Sequence, residues 1–263
     1  MNAALEEKLL PKPNARFKSI LQGLGVKADI PFFLDAPFLT GNRFLQMCIP
    51  SMEYKRSDAP PTLHFAGGLP KGHRDPFTNP PEWWPEVVST GGKTVIAVAQ
   101  GTVNLDFTEL IVPTIEALGG DENILLVVAL GARGASLPEG VAVPTNVRVG
   151  DFIPFDDLLP HCAALVCNAG YGTVLHAVAC GTPMVLAGGS EDKPEMAARA
   201  ENAGIAVNLR TGRPTPGQVR DAINEVLRND TYKQRSIVLE AEVQSFDPIG
   251  IIEESIRDSL VAQ

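Results

Sequence analysis

Residues 164–187 read ALVCNAGYGTVLHAVACGTPMVLA. Ala164–Cys167 is a short apolar run of buried-strand length, and Asn168-Ala-Gly-Tyr-Gly-Thr173 is a turn of glycine and small polar residues. A helix follows through His176, and Met184–Ala187 is a second buried strand. Two strands apolar on both faces, joined by a helix, make the repeating unit of a parallel sheet. The same unit recurs on either side. Upstream stand the strand Thr94–Ala99 (TVIAVA) and a helix expected over Phe107–Leu118, with Leu110, Ile111, Ile115 and Leu118 on one face and a capping-box-like start at Asp106 and Glu109. The strand Ile124–Ala129, a short strand near Val147–Val149 and a helical turn at Asp156–His161 come next. Downstream are a helix over Pro194–Ala203 and a strand over Ile205–Leu209. Thr215-Pro-Gly-Gln218 then caps a helix carrying Val219, Ile223, Val226 and Leu227. Pro248 breaks the helical remainder. The fold class is α/β: a Rossmann-like parallel sheet with helices on both faces, preceded by an N-terminal arm.

The arm differs in composition. Residues 1–93 are punctuated by Pro60-Pro61, Gly67-Gly68, Pro80-Pro81 and Gly91-Gly92, and only a helix around Arg16–Leu24 and a strand around Arg43–Ile49 are expected there. So much structureless chain does not pack on itself, and its phenylalanines (Phe17, Phe32, Phe33, Phe38, Phe44) need a surface to cover them. The division expected is an arm over 1–69, a linker over 70–92, the α/β domain over 93–247 and a C-terminal helix over 248–263.

Of the 263 residues, 44% are hydrophobic and 20% charged, the composition of a globular protein. The net charge of −9, with no basic run, argues against nucleic acid as a partner. The longest apolar run, Ile124–Ala132, is too short to span a bilayer, and no signal peptide is expected. The four cysteines (Cys48, Cys162, Cys167, Cys180) form no CxxC pair. They read as reduced, buried thiols of a cytoplasmic protein, with no metal site.

Ligands of open parallel sheets sit where strands end and helices begin. Three such turns combine glycine with small polar residues: Gln100-Gly101-Thr102, Asn168–Thr173, and Gly188-Gly189-Ser190-Glu191-Asp192-Lys193. Free backbone N–H groups and the positive end of a helix dipole suit phosphate there. Neither a Walker A loop nor a GxGxxG fingerprint is present, which disfavours ATP hydrolysis and NAD.

At these turns the sequence resembles the family-1 UDP-glycosyltransferases. Asn168-Ala-Gly-Tyr-Gly-Thr173, then Gly181-Thr182-Pro183 and Glu191-Asp192-Lys193, is similar to that family's T-H/N-G-G-x-G-S/T, G-x-P and Asp-Gln sequence. Phe152-Ile153-Pro154-Phe155 with Leu158, Leu159 and His161 resembles its W-x-P-Q…LL-x-H segment. The likeness runs from about residue 40 to the C-terminus. It implies the C-terminal, nucleotide-sugar half of the two-domain GT-B fold, and a UDP-sugar as co-substrate without a further cofactor or metal. It also implies roles. Phe152 would stack on uracil, with Ile153 and Gly131 beside the base. Asn168 would touch the pyrophosphate, and Gly170, Gly172, Thr173 and the turn Gln100–Thr102 would cradle the phosphates. Asp192 and Lys193 would hold sugar hydroxyls. The sequence departs from the pattern at His176, where the family has a ribose-binding glutamate, at Lys193 in place of glutamine, and at Phe155. From the residues alone, His176 is open between ligand contact and packing, and His161 reads as a capping or packing residue. Trp83 and Trp84 read as an interdomain seam.

In that family the acceptor pocket and the base histidine belong to the N-terminal domain, of which the arm resembles only the last helix and strand. The resemblance therefore implies the donor subunit of an inverting hexosyltransferase, moving glucose to a small lipophilic acceptor. Its base would come from a separate acceptor-domain subunit in a hetero-oligomer. A non-catalytic nucleotide-sugar-binding protein and a truncated half of a one-chain enzyme stand as alternatives.

Overall fold

The computed structural model describes residues 8–68, 77 and 79–261, in two compact units. One is built from both ends of the chain, and the other, Gly67–Asp247 with Cys48–Tyr54, is the α/β unit. The short segment around a 3₁₀ turn at Pro50–Met52 belongs with the α/β unit. There Glu53 pairs with Arg199, whose guanidinium lies 5.0 Å from the Tyr54 ring centre.

The first unit opens with helix α1 (Pro11–Gly23), which starts on proline and therefore forfeits no hydrogen bond. The short α2 (Ala36–Leu39) follows. Strands β1 (Phe44–Gln46) and β2 (Leu63–Phe65) then pair in parallel as a two-stranded sheet. Asn14 Oδ1 accepts from the Phe33 N–H at 3.2 Å, and the Phe32 and Phe33 rings meet edge to face at 5.0 Å.

In the α/β unit, α3 (Trp84–Val88) leads to β3 (Thr94–Ala99), α4 (Ile111–Leu118), β4 (Ile124–Ala129) and β5 (Val147–Gly150). The short α5 (Phe155–Leu158) and a 3₁₀ turn at Leu159–His161 precede β6 (Ala164–Cys167), α6 (Tyr171–Ala179) and β7 (Met184–Leu186). Then come α7 (Lys193–Asn202), β8 (Ala206–Asn208), α8 (Pro216–Arg228) and α9 (Thr231–Gln244). The last helix, α10 (Pro248–Val261), returns to the first unit, where Arg43 donates to Ser255 at 3.3 Å and pairs with Asp258 at 2.7 Å.

All six strands of the sheet are parallel, in the order β5-β4-β3-β6-β7-β8. One face packs Ile96, Val98, Leu126, Val128 and Val166 against Ile111 and Ile115 of α4 and Val219 and Ile223 of α8. The alternate residues, such as Val95, Leu125 and Leu165, face the other way and are equally buried. Each large side chain buried this way contributes about 1.5–3 kcal/mol. All four cysteines are buried and none forms a disulfide among the described residues, and burial pushes the Cys167 thiol up to about 12.

One local expectation changes. Helix α4 starts at Ile111, with no side-chain cap, rather than at Phe107. Asp106 instead accepts from the N–H and hydroxyl of Thr108 and pairs with Arg213, so its oxygens close a turn ahead of the helix. Trp84 packs edge-on against Phe77 and His161 of the α/β unit, with ring centres 5.0 and 6.3 Å away.

The cap of α8 forms as the sequence implies: Thr215 Oγ accepts from the Gln218 N–H while the Gln218 side chain accepts from the Thr215 N–H. Thr215→Ala should therefore cost about 1 kcal/mol in chemical denaturation. A loss indistinguishable from zero would mean that packing alone, through Val219, Ile223 and Val226, sets this helix start.

Candidate functional site

The six strands point their carboxyl ends to one edge, where a cavity of about 950 Å³ opens. Every residue assigned to the donor site from the sequence lines it: Gln100, Gly101 and Thr102 after β3, Gly131 after β4, Phe152 and Ile153 after β5, Asn168, Gly170, Gly172, Thr173 and His176 around the start of α6, and Asp192 and Lys193 at the start of α7. Val103, Asn104 and Ala129 also line it, outside the turns singled out in the sequence. The spacing of their neighbours was the only signal for them.

The floor is made by backbone in close approach. Gly131 has φ +83°, and a Cβ there would lie 2.2 Å from the Gly101 carbonyl oxygen. Only glycine permits that contact. Gln100, expected near the ligand, spends its side chain inside the protein: Nε2 donates to the Asp106 carbonyl at 2.7 Å, and Oε1 accepts from the Leu110 N–H at 3.2 Å. It pins the loop 101–106 rather than reaching out. Its own carbonyl accepts from Asn168 Nδ2 at 2.6 Å, which ties the β3 and β6 turns together.

Two non-glycine residues in these turns adopt the left-handed region, Ala169 (φ 61°) and Glu191 (φ 58°). Such backbone costs about 1 kcal/mol or more per residue, and the surrounding fold sustains it at both places where helix starts face the cavity. At the first, Gly170 caps α6 with no side-chain bond. Nothing lies within 4 Å of where a Gly172 Cβ would be, and Gly170, Tyr171, Gly172 and Thr173 of this first turn all line the cavity. At the second, Asp192 is the N-cap residue of α7, yet its side chain makes no cap bond. Asp192 lines the cavity beside Lys193, which pairs with Glu191.

Phe152 is 46% exposed at the rim. Asp151 braces it: its carboxylate accepts from Gly134 N–H at 2.7 Å and Phe152 N–H at 2.6 Å. Those two bonds, the Gly134 one foremost, hold its pKa below the usual carboxylate range. The Arg133 guanidinium lies 5.7 Å from the Phe152 ring centre, leaving the ring as a braced aromatic platform. His176 both lines the cavity and is tethered. Its Nδ1 is 2.8 Å from Asp156 Oδ1, and its ring meets Phe155 edge-on at 5.9 Å. An ionised carboxylate only accepts, so Nδ1 carries the proton and Nε2 is the ring atom that can meet a ligand. Asp156 was missed from the sequence, because the pairing spans two elements.

Residues 116–255 match the family described as erythromycin biosynthesis protein CIII-like, C-terminal domain. The chain is 44% identical to UDP-glucosyltransferase A1 of Starmerella bombicola, over 98% of its own length and 55% of that protein's. It is 40% identical to UDP-glucosyltransferase 1 of Beauveria bassiana, over 97% and 54%. It thus spans about half the length of the curated relatives it matches. Among solved structures it resembles the glycotransferase of kitacinnamycin (TM-score 0.72, 22% identity, 93% of this chain and 61% of that one). It also resembles the glycosyltransferase VinC in complex with dTDP (TM-score 0.69, 23% identity, 97% and 61%). The sheet and its helices are those of the C-terminal domain of GT-B glycosyltransferases.

The Gly131–Gly101 approach is the contact most sensitive to a single methyl group. Gly131→Ala should destabilise the chain by about 2–3 kcal/mol through combined clash and positive φ. A thermal or urea melt unchanged within about 0.5 kcal/mol would show that the loop 101–106 yields freely.

Proposed function

The chain belongs to the family of EryCIII-like C-terminal domains, glycosyltransferases, and from that premise we propose that its α/β unit binds a UDP-sugar, UDP-glucose first, and presents it for transfer. The observation that carries this reading is the single cavity in which a braced aromatic ring, two open helix starts and an uncommitted carboxylate lie along one sheet edge. Uracil stacks on Phe152. The diphosphate seats on the amides at the start of α6 with Thr173, where the helix dipole offsets its charge, and no metal ion is assigned to the step. The Asp192 carboxylate accepts sugar hydroxyls, and His176, held by Asp156, meets the ribose. Glucose as the sugar is favoured by the names of the relatives from Starmerella bombicola and Beauveria bassiana.

Inverting transfer needs a base within hydrogen-bond reach of the acceptor hydroxyl. We assign that base to an acceptor-binding domain, on a separate subunit, that meets the donor cavity and carries the pocket for a small lipophilic acceptor. The exposed apolar side chains of the unit built from the two ends of the chain, among them Ile20, Leu24, Phe38, Ile249 and Ile256, supply a surface on which such a subunit could dock.

Calorimetry with UDP and UDP-glucose tests the donor reading. Thr173→Ala should weaken both ligands together, by about 1 kcal/mol, since both carry the diphosphate. Unchanged affinity for both would move the phosphates away from α6. Asp192→Ala should differ in kind, costing UDP-glucose about 2 kcal/mol while leaving UDP nearly untouched. Equal losses for the two would assign Asp192 to the nucleotide.

A further inference from the structure

Among the described residues, one buried side-chain atom of the donor cavity has no hydrogen-bond partner. Asn168, at the end of β6, is 7% exposed. Its Nδ2 faces the Gln100 carbonyl, which needs a donor, and this fixes which way the amide lies. Oδ1 is then buried and, among the described residues, accepts no hydrogen bond. It lies beside two backbone segments that line the cavity: a Cβ on Gly170 would be 3.7 Å from it, and one on Gly101 3.9 Å. A buried amide oxygen left unpaired is costly, and the fold retains it at the head of α6.

The resemblance gives this position to the pyrophosphate. For Oδ1 the chemistry argues otherwise. Phosphate oxygens at neutral pH are acceptors, so they cannot satisfy another acceptor, whatever the second Nδ2 hydrogen meets. What seats at Oδ1 must bring an O–H or N–H. Position along the sheet edge narrows the choice. Phe152 and Gly131 follow β5 and β4 at one end, and Asp192 and Lys193 follow β7 towards the other. Asn168 ends β6, next to β7, and it also lines a smaller recess of about 290 Å³ that Ser190 and Lys193 share. His176 is tethered to Asp156 of α5, the helix that follows β5, so ribose hydroxyls belong to the base side. The donor that reaches Asn168 comes from the sugar.

We propose that Asn168 Oδ1 accepts a hydrogen bond from a hydroxyl of the transferred sugar, making Asn168 a sugar-selecting residue rather than a phosphate ligand. This rests on the donor-site reading above. The Asn168 amide thereby joins two tasks, holding the β3 turn through Nδ2 and reading the sugar through Oδ1.

The test is calorimetry on the full chain with UDP, UDP-glucose and the 2-, 3-, 4- and 6-deoxy analogues of UDP-glucose. Asn168→Ala should lower UDP-glucose affinity about tenfold with UDP changed less than twofold. One deoxy analogue should bind the wild type about tenfold more weakly than UDP-glucose, keep that penalty in Asp192→Ala, and lose it in Asn168→Ala. Equal loss of UDP and UDP-glucose in Asn168→Ala overturns the assignment. Should Asn168→Ala fail to fold, Asp192→Ala decides alone: four analogues all binding it as UDP-glucose does would overturn the assignment too. Absence of binding by both UDP and UDP-glucose to the wild type overturns the donor-site reading, and this inference with it.

Discussion

Strands β3 and β6 lie side by side in parallel although the chain runs through β4 and β5 between them, and this adjacency organises the molecule. From β3 the chain builds outward on one side, then crosses back and builds outward on the other. At such a switch point the two following turns diverge to opposite faces and leave a crevice that no helix fills. The crevice is kept open by backbone rather than by large side chains. Gly131 closes on the Gly101 carbonyl on one flank, and Gln100 anchors the loop from within. Asn168 then ties the two central turns by one short hydrogen bond. Lengthening any of these contacts would widen the floor of the cavity.

The strands were legible in the sequence where burial on both faces left nothing but apolar residues. Thr94–Ala99, Ile124–Ala129 and Ala164–Cys167 appear with the bounds expected of them. The capping box at Thr215 was equally legible, because its chemistry is complete within four residues. What could not be read was anything made by distant partners. The pairing of β1 with β2, and the return of α10 to Arg43, give the arm an architecture that its proline- and glycine-rich sequence conceals. The start of α4 moved for a similar reason, since Arg213 holds Asp106 from far along the chain.

The site followed the same division. The residue types in the turns were readable, as the glycines and small polar groups at strand ends have few other uses. Their commitments were not. Gln100 and Asp192 look alike in sequence, as polar residues at the mouths of turns. One has its side chain consumed by bonds to the Asp106 carbonyl and the Leu110 amide, while the other declines even the cap bond available to it. His176 stood between packing and ligand contact, and the fold gives it both surroundings: Phe155 and Asp156 orient its ring, and the ring lines the cavity.

Charge gives the last constraint. The chain carries a net charge of −9, and the charged residues lining the cavity include Glu191 and Asp192 beside Lys193. Lys193 is paired with Glu191, so it does not stand as an unscreened counter-ion for a diphosphate. On the proposed donor reading, attraction for the phosphates comes from oriented backbone, chiefly the amides at the start of α6, whose partial charges cost nothing to position once the helix has formed. That solution explains why the strained Ala169 backbone is worth keeping: it turns the chain so that Gly170 can begin the helix facing the crevice. It also leaves the acidic end of the cavity free for hydroxyl groups, which a lysine- or arginine-lined phosphate site would have had to neutralise first.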